Sequence, residues 1–318
     1  MSVADRPGDL HPPPPRFAWR QFAAITAGAL AIFFLLRRLP TGTNLNHMDF
    51  RVDPRDGRAI EFCDPVNPQF IPVVAVRSPV TMTLETGGPP VAGLTLQGIL
   101  RLRTGSGKAI APADLLVTHT RRLHLLVIDP TLADYRHVHP EPGRQPGTWT
   151  FSFTPHRVGE YRVFADFTPV ATGRGLYAGA DLPVAPGPEP VGEPAPRPDG
   201  RVVERDGYRF ELVPAEVPLR EGRPIRLAFK IMAQGGGAVP LRPVMDALAH
   251  LVTFDEARSG FAHLHPLEPG AEPPDPARPV MNFQVTIPRA GHYVIWAQIN
   301  IAGRETFVPF AIEVEEVH

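Results

Sequence analysis

The feature that most constrains this chain is an internal duplication. His124-Leu-Leu-Val-Ile-Asp129 running on to His137-Val-His139-Pro140 returns as His250-Leu-Val-Thr-Phe-Asp255 and His263-Leu-His265-Pro266, every matched residue displaced by the same 126 positions (250 minus 124, 263 minus 137). Tyr135 answers to Phe261 on that offset. Further on, Gly159-Glu-Tyr161 reappears as Gly291-His-Tyr293 and Phe164-Ala165 as Trp296-Ala297, the offset having grown to 132 through one longer loop. A period of this size is a whole domain, so two copies of one domain fill most of the 318 residues. Each copy is long enough to bury its own core.

The copies read as β-structure. Short runs rich in branched and aromatic residues, such as 94–103, 123–128, 148–153, 160–167 and 176–184, alternate with Pro/Gly turns, and similar runs recur at 208–213, 225–231, 248–255, 281–287, 292–299 and 306–314. Trp149, Phe151 and Phe153 fall on one face against Thr148, Thr150 and Ser152 on the other, the pattern of an antiparallel sheet with one face in a core. The 40 prolines suit short strands and rigid turns rather than long helices. A single cysteine, Cys63, excludes an internal disulfide framework. These signals place β-sandwich 1 at 73–186, a proline-rich linker at 187–200 and β-sandwich 2 at 201–318.

Gly159-x-Tyr161-x-Val163 and Gly291-x-Tyr293-x-Ile295 resemble the immunoglobulin-like sandwich, which carries a tyrosine near the start of its sixth strand, two residues before a core position. The resemblance implies two tandem Ig-like antiparallel sandwiches with Gly159, Tyr161, Gly291 and Tyr293 as fold signature. Val163 and Ile295 stand where antibody domains place a cysteine, so the core is expected to be aliphatic and aromatic. The His-x-His-Pro element also resembles poorly characterised bacterial β-sandwich proteins that are membrane-anchored or secreted.

The histidines carry the functional question. A His-x-His pair on an extended segment directs both rings to one face, about 6 to 7 Å apart. A hairpin would add a third, giving His124, His137 and His139 in one copy and His250, His263 and His265 in the other. Three imidazoles with an open position suit zinc or copper(II). No methionine or cysteine is duplicated, which argues against a copper(I) carrier. The competing reading is structural, each histidine locking a turn before proline through backbone carbonyls. His119 and His156 have no histidine at the matched position and read as loop residues.

The N-terminal part differs. A proline-rich cytoplasmic tail is expected over 1–20, then an uncharged apolar run over 21–38 bracketed by Arg20 and Arg37-Arg38, expected as a transmembrane anchor helix held by Trp19, Phe22, Phe33, Phe34 and Leu36. Residues 39–72 read as an extended connector in which His47, Met48 and Cys63 are soft or borderline metal ligands with no fixed spacing.

Formal charge of −1 excludes a nucleic-acid footprint. Thr104-Gly-Ser-Gly-Lys108 lacks the first glycine of a phosphate loop, and neither a Gly-x-Ser-x-Gly elbow nor paired carboxylates are present, so no enzyme is expected. Two roles follow as expectations. One is a non-catalytic accessory subunit, anchored in the inner membrane with its bulk in the periplasm, that binds other subunits of a bacterial photosynthetic reaction-centre, antenna or respiratory complex. The other is a periplasmic copper- or zinc-handling protein.

Overall fold

The computed structural model describes residues 19–38, 45–51, 68–187, 198–268 and 275–317. Most of the tail, the greater part of the connector with Cys63, and most of the 187–200 linker lie outside them.

The first copy contains β1 (Val80–Thr86), β2 (Leu96–Thr104), β3 (His124–Ile128), β4 (Tyr135–Val138), β5 (Glu141–Pro142), β6 (Thr148–Phe153), β7 (Gly159–Phe167) and β8 (Leu176–Val184). The second contains β9 (Val202–Arg205), β10 (Tyr208–Pro214), β11 (Leu219–Arg220), β12 (Pro224–Ala233), β13 (Leu241–Arg242), β14 (Ala249–Asp255), β15 (Phe261–Leu264), β16 (Val280–Thr286), β17 (Gly291–Ile301) and β18 (Arg304–Glu315). Sheets run β1-β2-β6-β5 and β4-β3-β7-β8 in the first copy, and β16-β12-β10-β9 and β11-β18-β17-β14-β15 in the second. Both copies thus pair their third, fourth, sixth and seventh principal strands in one sheet and the remainder in the other, the immunoglobulin-like arrangement.

The tyrosine signature forms in both copies. Tyr161 is buried, and its hydroxyl donates to Asp134 (2.6 Å) and accepts from the Arg157 amide (2.9 Å); the Tyr293 hydroxyl donates to the Arg289 carbonyl (2.9 Å). Gly159 has φ 127°, and a Cβ there would stand 2.8 Å from Pro130 Cγ, so the turn into β7 requires glycine. Asp129 and Asp255 serve turns: the carboxylate of Asp129 accepts from the amides of Thr131, Ala133 and Asp134, and that of Asp255 from Ser259.

The expectation of one buried face per sheet is corrected for β3 and β14. Every residue of β3 is buried, and only the last of β14 is not. Leu125 and Val127 point into the first copy's own core, while Leu126 and Ile128 pack with Val252, Phe254, Val294 and Trp296 of the second copy. The β4-β3-β7-β8 sheet and its counterpart therefore bury their outer faces on each other, which is why these strands read as continuous apolar runs. Reciprocal bonds clasp this contact, from Arg162 Nη1 to the Arg258 carbonyl (3.0 Å) and from Arg258 Nη1 to the Glu160 carbonyl (2.5 Å). Sandwich 1, expected to begin at 73, has its first strand only from Val80, and the chain just before 73 crosses to the second copy. Phe70 enters that copy's core, the Ile71 amide bonds the Phe261 carbonyl (2.8 Å), and Ile71 and Val73 join the buried contact.

The N-terminal segment forms α1 (Trp19–Arg38). Trp19, Phe22, Phe33 and Phe34 are exposed on it, and the side chain of Leu36 lies outside the described residues. Among the described residues no helix is long and apolar enough to cross a membrane, which corrects the expected span over 21–38.

Candidate metal centre

Strand alternation sorts the sheet-to-sheet contact into two ends. On β3 the outward positions are His124, Leu126 and Ile128; on β4 they are Tyr135 and His137, followed by His139. The register pairs Leu126 with His137 and, one step beyond the ladder, carries His124 opposite His139. β14 and β15 repeat this with His250, Val252, Phe254 and Phe261, His263, His265. The apolar members make the buried contact described above, and the histidines of both copies gather at its other end.

The gathering crosses between copies. Ring centroids lie 5.3 Å apart for His124 and His137, 5.2 Å for His124 and His139, 4.8 Å for His250 and His265, and 5.2 Å for His137 and His263. A seventh ring joins them: His119, read from sequence as a loop residue, stacks on His265 at 3.6 Å and an interplanar angle of 17°. The ligand atoms of His124, His137 and His139 all lie within 4.8 Å of one another, as do those of His119, His250 and His265, and each group could hold a metal ion. The expected second triad is thus altered. His119 takes the third place, and His263 belongs to neither group.

Both central histidines find a partner on the opposite sheet. His263 Nδ1 is 3.0 Å from Asp166 Oδ2, and His137 Nδ1 is 2.7 Å from Gln298 Oε1. Asp166 and Gln298 are themselves 132 positions apart, so each copy orients the other's central histidine from the matched position. Carbonyl or carboxylate acceptors on one ring nitrogen fix the tautomer and turn the other nitrogen inward, as around bound metals.

The hydrogen bonding leaves lone pairs facing one another. Gln298 Nε2 donates toward Glu305 Oε1 (3.5 Å), which leaves its Oε1 to accept from His137 Nδ1–H, so His137 Nε2 carries a lone pair. His124 Nε2 is 3.1 Å from the Thr118 carbonyl, which requires an N–H there and leaves a lone pair on Nδ1. These two bare nitrogens are 3.1 Å apart. Four more rings have buried nitrogens without partners: Nε2 of His139, His263 and His265, and both nitrogens of His250.

Burial, as the largest cause, holds every ring in the neutral, ligating form. His124 and His139 are lowered to about 4 and His265 to about 2. His137, His250 and His263 fall well below the ordinary histidine value, each lowered further by repulsion from neighbouring imidazoles. His119 is lowered by burial against the opposing attraction of Asp166 and Asp246. Asp166 is itself raised by burial, with His124 and His119 acting against that shift.

His119, Asp166 and Gln298 were missed in the sequence because none of the three is matched by an identical residue. His47 and Met48 sit elsewhere, in a 3₁₀ turn capped by Asn46, where Asp49 pairs with Lys108 (2.6 Å). His156 contacts Arg136 at the protein surface.

Fold and site define a tandem immunoglobulin-like protein with a histidine cluster where its two copies meet. The chain belongs to the family described as a domain of unknown function, DUF8832, whose profile matches residues 74–178 and 202–316. No curated protein matches the sequence. Among solved structures, a DUF4785 family protein from Legionella pneumophila aligns at 8% identity and TM-score 0.24, covering 73% of this chain and 55% of that one. The fibronectin(III)-like modules of CbhA from Clostridium thermocellum align at 11% identity and TM-score 0.21, covering 74% and 95%. The chain spans about half the length of the Legionella protein, and at such scores neither alignment carries an argument.

Proposed function

We propose that this is a metal-handling protein that holds copper or zinc in the histidine cluster between its two sandwiches. One observation carries the reading: the bare nitrogens of His124 and His137, 3.1 Å apart inside a buried cluster. Two lone pairs at that separation repel unless a cation lies between them, and the spacing is close to the ligand-to-ligand edge of about 3.3 Å that a tetrahedral site with Zn–N bonds near 2.05 Å requires. Turn-locking histidines would spend their nitrogens on backbone carbonyls, and of these rings only His124 has such a bond. The cluster offers imidazole in several directions and no paired carboxylates, which suits binding and transfer of an ion more than hydrolysis.

The test is metal content. The full chain, stripped with chelator, incubated separately with zinc and copper and then desalted, is expected to retain at least one ion per chain and to melt at a higher temperature. Retention below about 0.2 ion per chain with unchanged melting removes the reading.

A second reading, favoured by the exposed Trp19, Phe22, Phe33 and Phe34 of α1, is an accessory subunit on the periplasmic side of a bacterial inner-membrane complex, held there by that helix. Mild detergent extraction that returns the chain without a stoichiometric partner rejects it.

A further inference from the structure

The turn that delivers His119 has a twin. Thr118 and Arg121 exchange backbone bonds (2.8 and 3.0 Å) around His119 (φ 50°) and Thr120 (φ 67°). Val244 and Ala247 do the same (2.7 and 3.1 Å) around Met245 (φ 50°) and Asp246 (φ 64°). Positive φ at both central residues is the type I′ geometry, which favours Asn-Gly. Here His-Thr and Met-Asp hold it instead, and such strain persists where the tip residue has a task. The twins lie 126 positions apart, the offset of the cluster histidines themselves. Their flanks match as well, Leu115 bridging Pro169 as Leu241 bridges Ile301.

The correspondence carries His119 onto Met245 and His265 onto His139. His119 reaches across to stack on His265 of the other copy, so the same relation sends the half-buried Met245 toward His139, whose Nε2 is buried without a partner. The twin turn does border the cluster, since Asp246 beside Met245 acts electrostatically on His119.

We propose that the cluster holds two inequivalent ions, one at His119, His250 and His265 with nitrogen donors alone, the other at His124, His137 and His139 completed by the thioether of Met245. A thioether is a soft donor, neutral and weak toward zinc but well matched to copper(I), so the second position selects copper(I). His263, between the two groups, is the ring able to reach either. This rests on the metal reading above and goes beyond it in number, identity and ligand.

The experiment uses the full chain without oxygen. Copper(I) affinity is measured by competition with a chromophoric copper(I) chelator, zinc affinity by competition with a zinc dye, and the sulfur shell of copper by X-ray absorption, for wild type, Met245→Ala and Met245→His. The wild type is expected to take up two ions and to show a sulfur scatterer when loaded with copper(I). Met245→Ala should lose the sulfur signal and weaken copper(I) by about tenfold or more while leaving zinc within about twofold. Met245→His, a nitrogen-only cluster, should keep its zinc affinity without recovering that for copper(I). Wild-type binding with no sulfur scatterer, with a single ion, or with copper(I) affinity unmoved in Met245→Ala overturns this proposal and leaves the metal reading standing. A wild type that binds no metal overturns both.

Discussion

The two copies share a scaffold down to the tyrosine corner and the turn before the third strand, yet differ where they face each other. Asp166 orients His263 from the first copy, while Gln298 orients His137 from the second. The turn tip is histidine in one and methionine in the other. The rings that make up the two halves are the same residue type at the same offset, so whatever distinguishes the halves lies in these two substitutions. Duplication supplied a symmetric cluster, and divergence at two matched positions around it made the halves chemically different.

Acid should show the largest effect and also separate the halves. A histidine whose folded value lies below the unfolded 6.5 contributes stability that is complete above about pH 6.5 and is lost as pH falls toward the folded value. His124 is 1% exposed and lowered to about 4, so it alone costs about 3 kcal/mol by pH 4. The metal-free chain should therefore denature steeply in urea between pH 6.5 and 4, and neutral-pH metal binding should postpone the loss. In an NMR titration of the folded chain the His139 ring should begin to charge at higher pH than its matched partner His265. Coincident titration of the two rings, or a urea midpoint flat from pH 7 to 5, would break the comparison.

The tyrosine corners should part by less. Tyr161→Phe removes a donor from buried Asp134 and an acceptor from the Arg157 amide, so a loss of about 2 kcal/mol is expected. Tyr293→Phe removes one bond to a carbonyl, worth about 1 kcal/mol. Equal urea midpoints for the two variants would mean that the Asp134 network adds nothing to the first corner.

Much of this architecture was legible. The constant offset gave the domain pair, the alternation of Trp149, Phe151 and Phe153 gave core faces, and His-x-His spacing put His137 with His139 and His263 with His265 on shared faces. What was hidden is long-range. Leu126 and Val252 read as core whichever sheet buries them, so nothing local told that the copies face each other. His263 meets Asp166 across 97 residues and His137 meets Gln298 across 161, contacts that no spacing rule reaches. His119 and Met245 are unlike residues at one matched position, so identity between the copies does not mark them. Matched positions with unlike residues carried the asymmetry. The N-terminal segment was legible as a helix, and no described helix is long and apolar enough to cross a membrane.

The last expected effect bears most directly on what divergence did. Asp166→Asn keeps an acceptor on His263 Nδ1 but removes its charge, lowering the basicity of Nε2, and ion affinity at the group His263 serves should fall by about tenfold. Gln298→Glu does the reverse for His137, placing a carboxylate where an amide stands, and should strengthen the His124, His137 and His139 group by a similar factor. Isothermal titration with zinc at pH 7.5, where every ring of the cluster is neutral, reads the two steps separately. If Asp166→Asn and Gln298→Glu move different steps in opposite directions, each copy tunes the ligand offered by its partner. If both move one and the same step, the cluster is a single shared site. The exchange of carboxylate for amide would then be a difference between the copies without consequence for where the ion sits.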